Sequence, residues 1–259
     1  MSYIGSVGLV TGASSGMGKI IALRMAKQGL KVAALDTNQK GLEEISRKYN
    51  NIYSLVCDVS SYEEVSKSIK DIEENIGEIE SIVHAAAIMP AKPILSTSPN
   101  KTMNLMDINY GGTVNLVHSV VTKMIEKDSG QAIFFGSIAG QVLNTGLGPY
   151  SATKSAVNTY IEILQHEIKD SGVHIMLVQP NAVDTPLINQ ALGEEGPKNI
   201  RESKETGRLA DPLQIVKSIE KGLRKKKLIL YPNLEAKILT LARRFFPKAL
   251  WSIIEKSNE

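Results

Sequence analysis

Short apolar runs alternate along this chain with longer segments in which apolar positions recur every three or four residues. The short runs, which predict buried strands, are VGLVTG (7–12), KVAALD (31–36), NIYSLVCDV (51–59), SIVHAAA (81–87), QAIFFGS (131–137) and VHIMLVQP (173–180). The helical periodicity covers residues 18–29, 41–50, 61–76, 101–127 and 150–170. Strands and helices that alternate with short connections predict an α/β fold, with a parallel sheet flanked by helices on both faces.

Two segments depart from this alternation. Residues 185–210 are polar and punctuated by Gly and Pro, which indicates a substrate lid rather than a boundary between domains. After a basic run, residues 225–233 predict a last strand, and residues 234–256 predict an amphipathic extension that Pro247 interrupts. We therefore expect one domain over residues 1–259, with a lid and a C-terminal extension.

The extension combines an apolar stripe with basic residues. The apolar residues at helical spacing are Leu234, Ile238, Leu241 and Phe245. From residue 217 to the end there are 11 Lys and Arg against 4 Asp and Glu, a net charge of +7 in a chain of +3. Such a tail could pack on its own protein or on a sister subunit, cover an apolar pocket, or bind a membrane surface. Packing on protein is favoured, and peripheral membrane contact stays open.

The composition excludes several classes of protein. Hydrophobic residues make up 42% and charged residues 22%, as in ordinary globular domains. The single cysteine, Cys57, rules out an internal disulfide, and with four scattered histidines it gives no metal-ligand spacing. We expect no signal peptide, no membrane span and a cytoplasmic protein. A charge of +3 gives no argument for a nucleic-acid partner.

The segment TGASSGMG (11–18) places Gly12, Gly16 and Gly18 between the first strand and the first helix. Glycines let the backbone turn tightly and approach a pyrophosphate, and the helix N-terminus attracts its charge. A glycine-rich turn alone is weak evidence, but its position after a first strand strengthens the prediction of a dinucleotide site.

Two aspartates follow the next two strands. Asp36 is suited to accept hydrogen bonds from both adenosine ribose hydroxyls, and it would repel a 2′-phosphate. Ser15 and Thr37, where a compensating cation could stand, are uncharged, so NAD is favoured over NADP. Asp58 could accept from the adenine amino group, with Val59 beside it. Either aspartate could instead be a plain strand-end turn residue.

The segment YSATK (150–154) puts Tyr150 and Lys154 four positions apart, on one side of a helix. An ammonium held there, together with a positive nicotinamide ring, would favour the phenolate and lower the pKa of Tyr150. Ser137 ends the fifth strand and could supply a neutral hydrogen-bond donor, or it could simply cap the strand end.

In combination, these segments closely resemble the short-chain dehydrogenase/reductase family over about residues 3–190. The elements that carry the resemblance are TGASSGMG, Asp36, CDV, Asn109 in INYGGT, Ser137 and YSATK. Their spacing is specific, because Ser137 lies 13 residues before Tyr150. The resemblance implies a Rossmann-type, doubly wound sheet of about seven strands. It also implies a nicotinamide cofactor, with hydride transfer to or from an alcohol or carbonyl carbon.

The resemblance also implies roles for single residues. Tyr150 would be the general acid/base, Ser137 would orient the substrate oxygen, and Lys154 would bind the nicotinamide ribose. Asn109 would hold a water through its backbone carbonyl. The cofactor contacts that we expect are Gly12, Ser14, Ser15, Gly16, Met17, Gly18, Asp36, Asp58, Val59, Ala85, Ala86, Ala87, Tyr150, Lys154, Pro180, Val183 and Thr185.

Two segments depart from the family pattern. HAAA (84–87) stands where relatives commonly have Asn-Asn-Ala-Gly, and we interpret His84 as a satisfied core histidine. Pro180–Asn181 stands where Pro-Gly is usual. Asn tolerates positive φ better than most residues, so we expect the turn to survive.

The sequence thus predicts an NAD(H)-dependent oxidoreductase for a secondary alcohol or carbonyl compound. Its substrate would be lipophilic, like a lipid, steroid or retinoid. It would act as a homo-oligomer, either a dimer or a tetramer. The alternatives are a dinucleotide-sensing regulator without turnover and an NADP-dependent carbonyl reductase.

Overall fold

A computed structural model describes residues 2–193 and 195–258, and its strands form one parallel sheet in the order β3-β2-β1-β4-β5-β6-β7. The strands are β1 (Val7–Thr11), β2 (Lys31–Asp36), β3 (Ile52–Val56), β4 (Ser81–His84), β5 (Gly130–Phe135), β6 (Val173–Val178) and β7 (Ile229–Leu230). Met1, Glu194 and Glu259 belong to the predicted domain, and Glu194 to the predicted lid, but they lie outside the described residues.

The helices pack on both faces of this sheet. They are α1 (Gly16–Lys27), α2 (Gln39–Ser46), α3 (Tyr62–Asn75), α4 (Pro99–Met106), α5 (Gly112–Leu116), α6 (Thr122–Glu126), α7 (Gly148–Glu167), α8 (Lys198–Glu205), α9 (Pro212–Arg224), α10 (Leu234–Phe245) and α11 (Pro247–Lys256). The prediction of a doubly wound parallel sheet of about seven strands is confirmed. In the described part of the chain, none of these helices is long and apolar enough to cross a membrane.

Adjacent residues of the central strand supply two separate cores. Leu9 and Val10 are both fully buried, yet they belong to different hydrophobic clusters, because successive strand residues point to opposite faces. Ile21 of α1 packs with Val10, whereas Ile161 of α7 packs with Leu9. The continuous apolar runs of the sequence therefore reflect a sheet that is covered on both sides.

Most predicted boundaries hold within a few residues, and the exceptions lie at the carboxyl ends of strands. β4 ends at His84 rather than at residue 87, and the last strand is only two residues long. The predicted helix over 101–127 contains two π-helical turns, Asp107–Gly111 and Val117–Val121. Such turns are rare and often accompany functional sites, and the first of them carries Asn109.

The order of the strands creates a crevice. β1 pairs with β2 on one side and with β4 on the other. The strand order therefore runs outward from β1 in one direction to β3 and in the opposite direction to β7. In doubly wound sheets, ligands bind in the crevice beyond the carboxyl ends of the strands at this point. The glycine loop after β1 and the HAAA segment after β4 both lie at this edge of the sheet.

A two-bond ion pair joins α1 to α9. Arg24 donates from Nε and from one terminal nitrogen to the two carboxylate oxygens of Glu220, both at 2.6 Å. The Glu220 side chain is only 7% exposed, whereas that of Arg24 is 35% exposed. Glu220 therefore depends on Arg24 for compensation of its buried charge.

We predict that Arg24→Met lowers the free energy of unfolding by about 2 kcal/mol. This is less than the cost of breaking a fully buried pair, because water reaches part of the Arg24 side chain. Urea unfolding monitored by circular dichroism measures the change. The double variant Arg24→Met/Glu220→Met should recover most of the loss. A double variant as unstable as the single one would contradict a role for the unpaired carboxylate.

Candidate active site

The glycine loop brings β1, α1 and the HAAA segment into very close contact. Gly12 and Gly16 adopt left-handed φ angles of +66° and +52°. A Cβ on Gly12 would lie 2.7 Å from the backbone nitrogen of Ala86, and one on Gly18 would lie 2.2 Å from the carbonyl oxygen of Gly12. No side chain fits at either position, so the loop must consist of glycine here.

The N-terminus of α1 opens toward this loop. Its N-cap residue, Ser15, makes no capping hydrogen bond through its side chain. The first N–H groups of the helix have no intrahelical partner, and they carry the positive end of the helix dipole. This geometry suits an anion such as a pyrophosphate.

Asp36 fastens the glycine loop to the end of β2. Its two carboxylate oxygens accept hydrogen bonds from the backbone nitrogens of Ser14 (3.0 Å) and Asn38 (2.9 Å). Asp58 makes a similar turn, accepting from the backbone nitrogen and the hydroxyl of Ser60 at 2.9 and 2.7 Å. Both aspartates therefore stabilise strand-end turns, and both also lie at the cavity wall, so their predicted contacts with a cofactor stay predictions.

A cavity of about 500 Å³ collects most of the predicted cofactor contacts. Its wall includes Gly12, Ser14, Ser15, Gly16, Met17, Gly18, Asp36, Asp58, Val59, Ala85, Ala86, Ala87 and Thr185. The glycine cradle, the uncapped helix N-terminus and the acid after β2 meet at one cleft. These residues fit a nicotinamide dinucleotide.

Helix α7 presents three polar side chains on its buried face. Tyr150, Lys154 and Asn158 follow one another at intervals of four residues, and each is about 5% exposed or less. Lys154 Nζ donates to the carbonyl oxygen of Phe135 at 2.7 Å and lies 5.9 Å from the centre of the Tyr150 ring. Asn158 clamps Ser137, accepting from its backbone nitrogen at 3.3 Å and donating to its carbonyl oxygen at 2.9 Å.

Ser137 acts both as a cap and as a member of the site. Its hydroxyl oxygen accepts from the backbone nitrogen of Ala139 at 3.0 Å, at the start of a short 3₁₀ turn. Its hydroxyl also forms a hydrogen bond with the phenol of Tyr150, and this bond acts to lower the pKa of Tyr150. Asn158 was not among the residues predicted from the sequence. Its position four residues after Lys154, on the same helix face, was the available signal.

Burial dominates the acid–base properties of the two ionisable groups. It raises the pKa of Tyr150 to about 12, in spite of the hydrogen bond with Ser137. It lowers the pKa of Lys154 to about 8. We predicted a lowered Tyr150 pKa from the sequence, and that prediction is wrong for the chain by itself. Both side chains lose water, and this favours their neutral forms.

Asn109 lies behind the cavities and supports their wall. Its side chain accepts from the backbone nitrogen of Ile88 and donates to the carbonyl oxygen of the same residue, both at 2.9 Å. Its own carbonyl oxygen accepts from the hydroxyl of Thr113 at 3.0 Å. A carbonyl oxygen has two lone pairs, so the implied contact with a water stays a prediction.

His84 is only half satisfied, which corrects the interpretation of a satisfied core residue. Its Nδ1 lies 2.7 Å from the Thr11 hydroxyl, while its buried Nε2 has no hydrogen-bond partner among the described residues. Burial, and secondarily the charge of Lys154, lower the pKa of His84 to about 3. The imidazole is therefore neutral at physiological pH.

Asn181 does not need the unusual backbone that we expected. In the described ranges, only Asp128 and Lys226 have positive φ among the non-glycine residues. Instead, the Asn181 amide donates to Glu235 at 2.8 Å and accepts from Asn233 at 2.9 Å. The departure from Pro-Gly thus connects this loop to the start of α10.

A second cavity, of about 420 Å³, adjoins the first. The two share the wall residues Met17, Ala85, Ala87, Thr185 and Leu187. Ser137, Tyr150, Lys154, Pro180 and Val183 line the second cavity. Much of its remaining wall is apolar. The predicted lid contributes Leu187, Ile188 and Leu209, the C-terminal helices contribute Leu239, Leu250 and Ile254, and the segment before α7 contributes Leu143 and Leu147.

The two sides of the predicted lid are joined by backbone contacts, and the lid also contacts the C-terminal end of the chain. Val183, two residues before the lid, forms a parallel bridge with Ala210, the last residue of the lid. An amide cluster ties Asn144 to Asn199 of α8 at 3.0 Å, and Asn258 to Asn144 at 2.8 Å. Sequence reasoning did not identify this cluster, because its members are far apart in the chain. Among the described residues, no three His, Cys, Asp or Glu side chains converge on a metal site.

Because His84 is buried in its neutral form, we predict that the folded protein loses stability in acid. Protonation of His84 favours the unfolded chain, because its folded pKa lies below the ordinary value of about 6.5. Stability is then complete above about pH 6.5 and decreases as the pH falls toward 3. By pH 5.5 the loss is about 1.4 kcal/mol.

We therefore expect His84→Asn to remove about that much of the difference in unfolding free energy between pH 7.5 and pH 5.5, measured by urea titration. His118→Asn replaces an exposed histidine and should keep the pH dependence of the unaltered protein. An unchanged pH dependence in His84→Asn would refute the assignment.

Comparison with known proteins agrees with this geometry. A family model described as short chain dehydrogenase matches residues 6–195. An uncharacterized oxidoreductase of Staphylococcus saprophyticus is 31% identical over 186 residues, which cover 70% of this chain and 80% of the relative. A mouse protein named 3-ketodihydrosphingosine reductase is 32% identical over 225 residues, covering 82% of this chain and 67% of that protein.

Solved structures share the fold. A short-chain dehydrogenase/reductase from Burkholderia phymatum, solved in complex with NAD, superposes with a TM-score of 0.85 at 18% identity, covering 94% of each chain. A short-chain dehydrogenase from Streptomyces avermitilis gives a TM-score of 0.80 at 24% identity, covering 98% of this chain and 97% of the other. The chain belongs to the short-chain dehydrogenase/reductase family and is an oxidoreductase.

Proposed function

We propose that this protein is an NAD(H)-dependent oxidoreductase that interconverts a secondary alcohol and a ketone on a lipophilic substrate. One observation carries the proposal. The Tyr150 phenol and the Ser137 hydroxyl line an apolar cavity that shares its wall with the dinucleotide cleft. A carbonyl carbon beside them would lie next to the nicotinamide end of the cleft.

The chain's own groups supply the polar part of the reaction. A bound nicotinamide dinucleotide would supply or accept the hydride. Ser137 donates a hydrogen bond to the substrate oxygen, where negative charge develops. Tyr150 gives its proton to that oxygen in ketone reduction and takes it back in alcohol oxidation. Without cofactor, burial raises the pKa of Tyr150 to about 12, so the phenol holds the proton that ketone reduction requires.

Other residues hold the cofactor and orient the reacting groups. Lys154 binds the nicotinamide ribose, and Asp36 binds the adenosine ribose. Asn158 fixes the backbone of Ser137, so it positions the reacting hydroxyl without touching substrate. Asn109 holds the segment at Ile88 that forms part of the cofactor wall.

The substrate side supports a lipophilic ligand. Apolar side chains of the lid segment and of the C-terminal helices dominate the far wall of the second cavity. The mouse relative is named 3-ketodihydrosphingosine reductase, and the reduction of a keto group agrees with the proposed reaction. We propose one catalytic domain with a lid at 185–210, and family membership supports a homodimer or homotetramer.

We predict that Tyr150→Phe reduces kcat by about 10²- to 10⁴-fold, because the variant lacks the transferred proton. Turnover of a graded series of secondary alcohols and ketones, followed by NADH absorbance, measures the loss. Tyr53→Phe, on the edge strand β3, is the matched control and should keep full activity. Retained turnover in Tyr150→Phe would contradict the proposed role of Tyr150 as the acid/base.

NADH binding by the unaltered protein, without turnover of any alcohol or ketone, would favour the alternative of a dinucleotide-sensing regulator.

We predict that NADH binds more tightly than NADPH, because the Asp36 carboxylate accepts from the ribose hydroxyls and repels a 2′-phosphate. Asp36→Asn should shrink this preference about tenfold or more, as expected for the loss of a charge-assisted hydrogen bond. The ratio of the two dissociation constants, from fluorescence titration, measures the effect. Asp71→Asn, at an exposed position of α3, should leave the ratio unchanged. Tighter binding of NADPH by the unaltered protein would support the NADP-dependent reductase.

A further inference from the structure

The apolar stripe of α10 faces away from the protein. Leu234, Ile238, Leu241 and Phe245 are 72%, 54%, 46% and 65% exposed. On the opposite side of the helix, Ala236 is fully buried. Of the two kinds of packing that we favoured, packing of the stripe on its own chain is therefore wrong, and packing on a sister subunit stays a prediction. The α10 helix attaches to its own chain through its less apolar side.

The turn between α10 and α11 extends this apolar surface. Phe246 is 68% exposed and continues directly from Phe245, and Ile253 of α11 is 64% exposed. We call the six residues the outward apolar face; its members are Leu234, Ile238, Leu241, Phe245, Phe246 and Ile253. Large exposed side chains grouped in this way indicate a binding surface rather than random exposure.

Cationic side chains accompany the outward apolar face. Lys237, Arg244 and Lys248 are exposed on the same two helices. The Arg244 guanidinium lies 6.0 Å from the centre of the Phe245 ring, and that of Arg243 lies 5.9 Å from the centre of the Trp251 ring. Aromatic and aliphatic residues flanked by Lys and Arg are typical of helices that lie in the interface of a membrane.

Charge decides between a membrane and a second copy of the chain. A two-fold symmetric contact through this face would bring the same cations of both copies together. Residues 234–256, which form the two helices, carry five Lys and Arg against two Glu, a net charge of +3, so this contact would be repulsive. The headgroups of anionic lipids, in contrast, attract Lys and Arg, and the acyl chains receive the apolar residues.

The inner side of the same two helices lines the substrate cavity. Leu239, Leu250 and Ile254 form part of its wall. Ile253 belongs both to the cavity wall and to the outward apolar face. The cavity wall thus reaches the exposed surface at Ile253, which is the arrangement that a substrate dissolved in lipid requires.

We propose that the outward apolar face docks the protein on an anionic lipid bilayer, next to the mouth of the cavity. The link to substrate entry rests on the proposed function, whereas the docking itself does not. Binding is peripheral, through partial insertion of the face among the headgroups. It weakens with salt, because the ionic part is screened.

Co-sedimentation of the full chain with vesicles tests the docking. Vesicles of phosphatidylcholine alone are compared with vesicles in which part of it is replaced by phosphatidylglycerol. We expect the protein to pellet with the anionic vesicles and to bind the neutral ones at least about tenfold more weakly, since several cations contribute. Failure to pellet with either kind of vesicle would overturn the proposal.

Ile238→Glu/Phe245→Glu should reduce binding to the anionic vesicles about hundredfold or more, because the variant lacks two exposed apolar side chains that would insert among the lipids. Lys237→Gln/Arg244→Gln should reduce the difference between the affinity for anionic vesicles and the affinity for neutral vesicles. The matched control, Tyr62→Glu/Ile163→Glu, places the same charges at exposed apolar positions outside the tail and should bind like the unaltered protein. Equal losses in the control and in the tail variant would contradict docking through this face.

Light scattering without lipid separates docking from subunit contact. If Ile238→Glu/Phe245→Glu changes the mass of the protein, the face is a subunit interface and the proposal is wrong. An unchanged mass and thermal unfolding midpoint, with lost vesicle binding, supports it. Vesicle binding needs no turnover, so failure of the redox assay and failure of docking are separate results.

Discussion

The seating of α7 against the end of β5 is the contact on which the site depends. A Cβ on Gly136 would lie 2.0 Å from the Asn158 side-chain oxygen, and one on Gly140 would lie 2.6 Å from its side-chain nitrogen. Because both positions are glycine, Asn158 reaches the backbone of Ser137. The same helix face carries Tyr150 and Lys154, so this contact aligns the phenol, the hydroxyl and the ammonium. A Cβ at position 140 would also lie 2.7 Å from the backbone of Lys154 and Ser155 and would push the helix away, whereas a Cβ at position 136 would displace the Asn158 amide.

Loss of contact with water determines which protonation state the buried polar groups of the site favour. Tyr150, Lys154 and His84 are all buried, and for each of them burial is the largest influence on the pKa. It raises the pKa of the phenol and lowers that of the amine and the imidazole, which favours the neutral form in every case. Burial of polar groups in this way lowers the stability of the folded protein. The clearest case is His84 Nε2, which is buried without a hydrogen-bond partner among the described residues.

The C-terminal helices have two functions because they have two faces. Toward the protein they complete the wall of the second cavity, and the contact of Asn181 with Glu235 ties them to the loop after β6. Toward the outside they present aromatic and aliphatic side chains among cations. The same two helices therefore join the wall of the second cavity to the outward apolar face.

The sequence alone determined the features that depend on local spacing. Strand and helix periods, the glycines of the loop and the interval of four between Tyr150 and Lys154 are properties of neighbouring residues, and they predicted the sheet, the family and the cavity walls. For the chain without its cofactor, the predicted direction of the Tyr150 pKa shift was wrong, because burial arises from elements that are distant in the chain. Distant elements also decide three other features. These are the lack of a partner for His84 Nε2 among the described residues, the hydrogen bonds of Asn158 with Ser137 and the outward orientation of the α10 stripe. A stripe is visible in one segment, but which side of it meets the protein depends on where the rest of the chain lies.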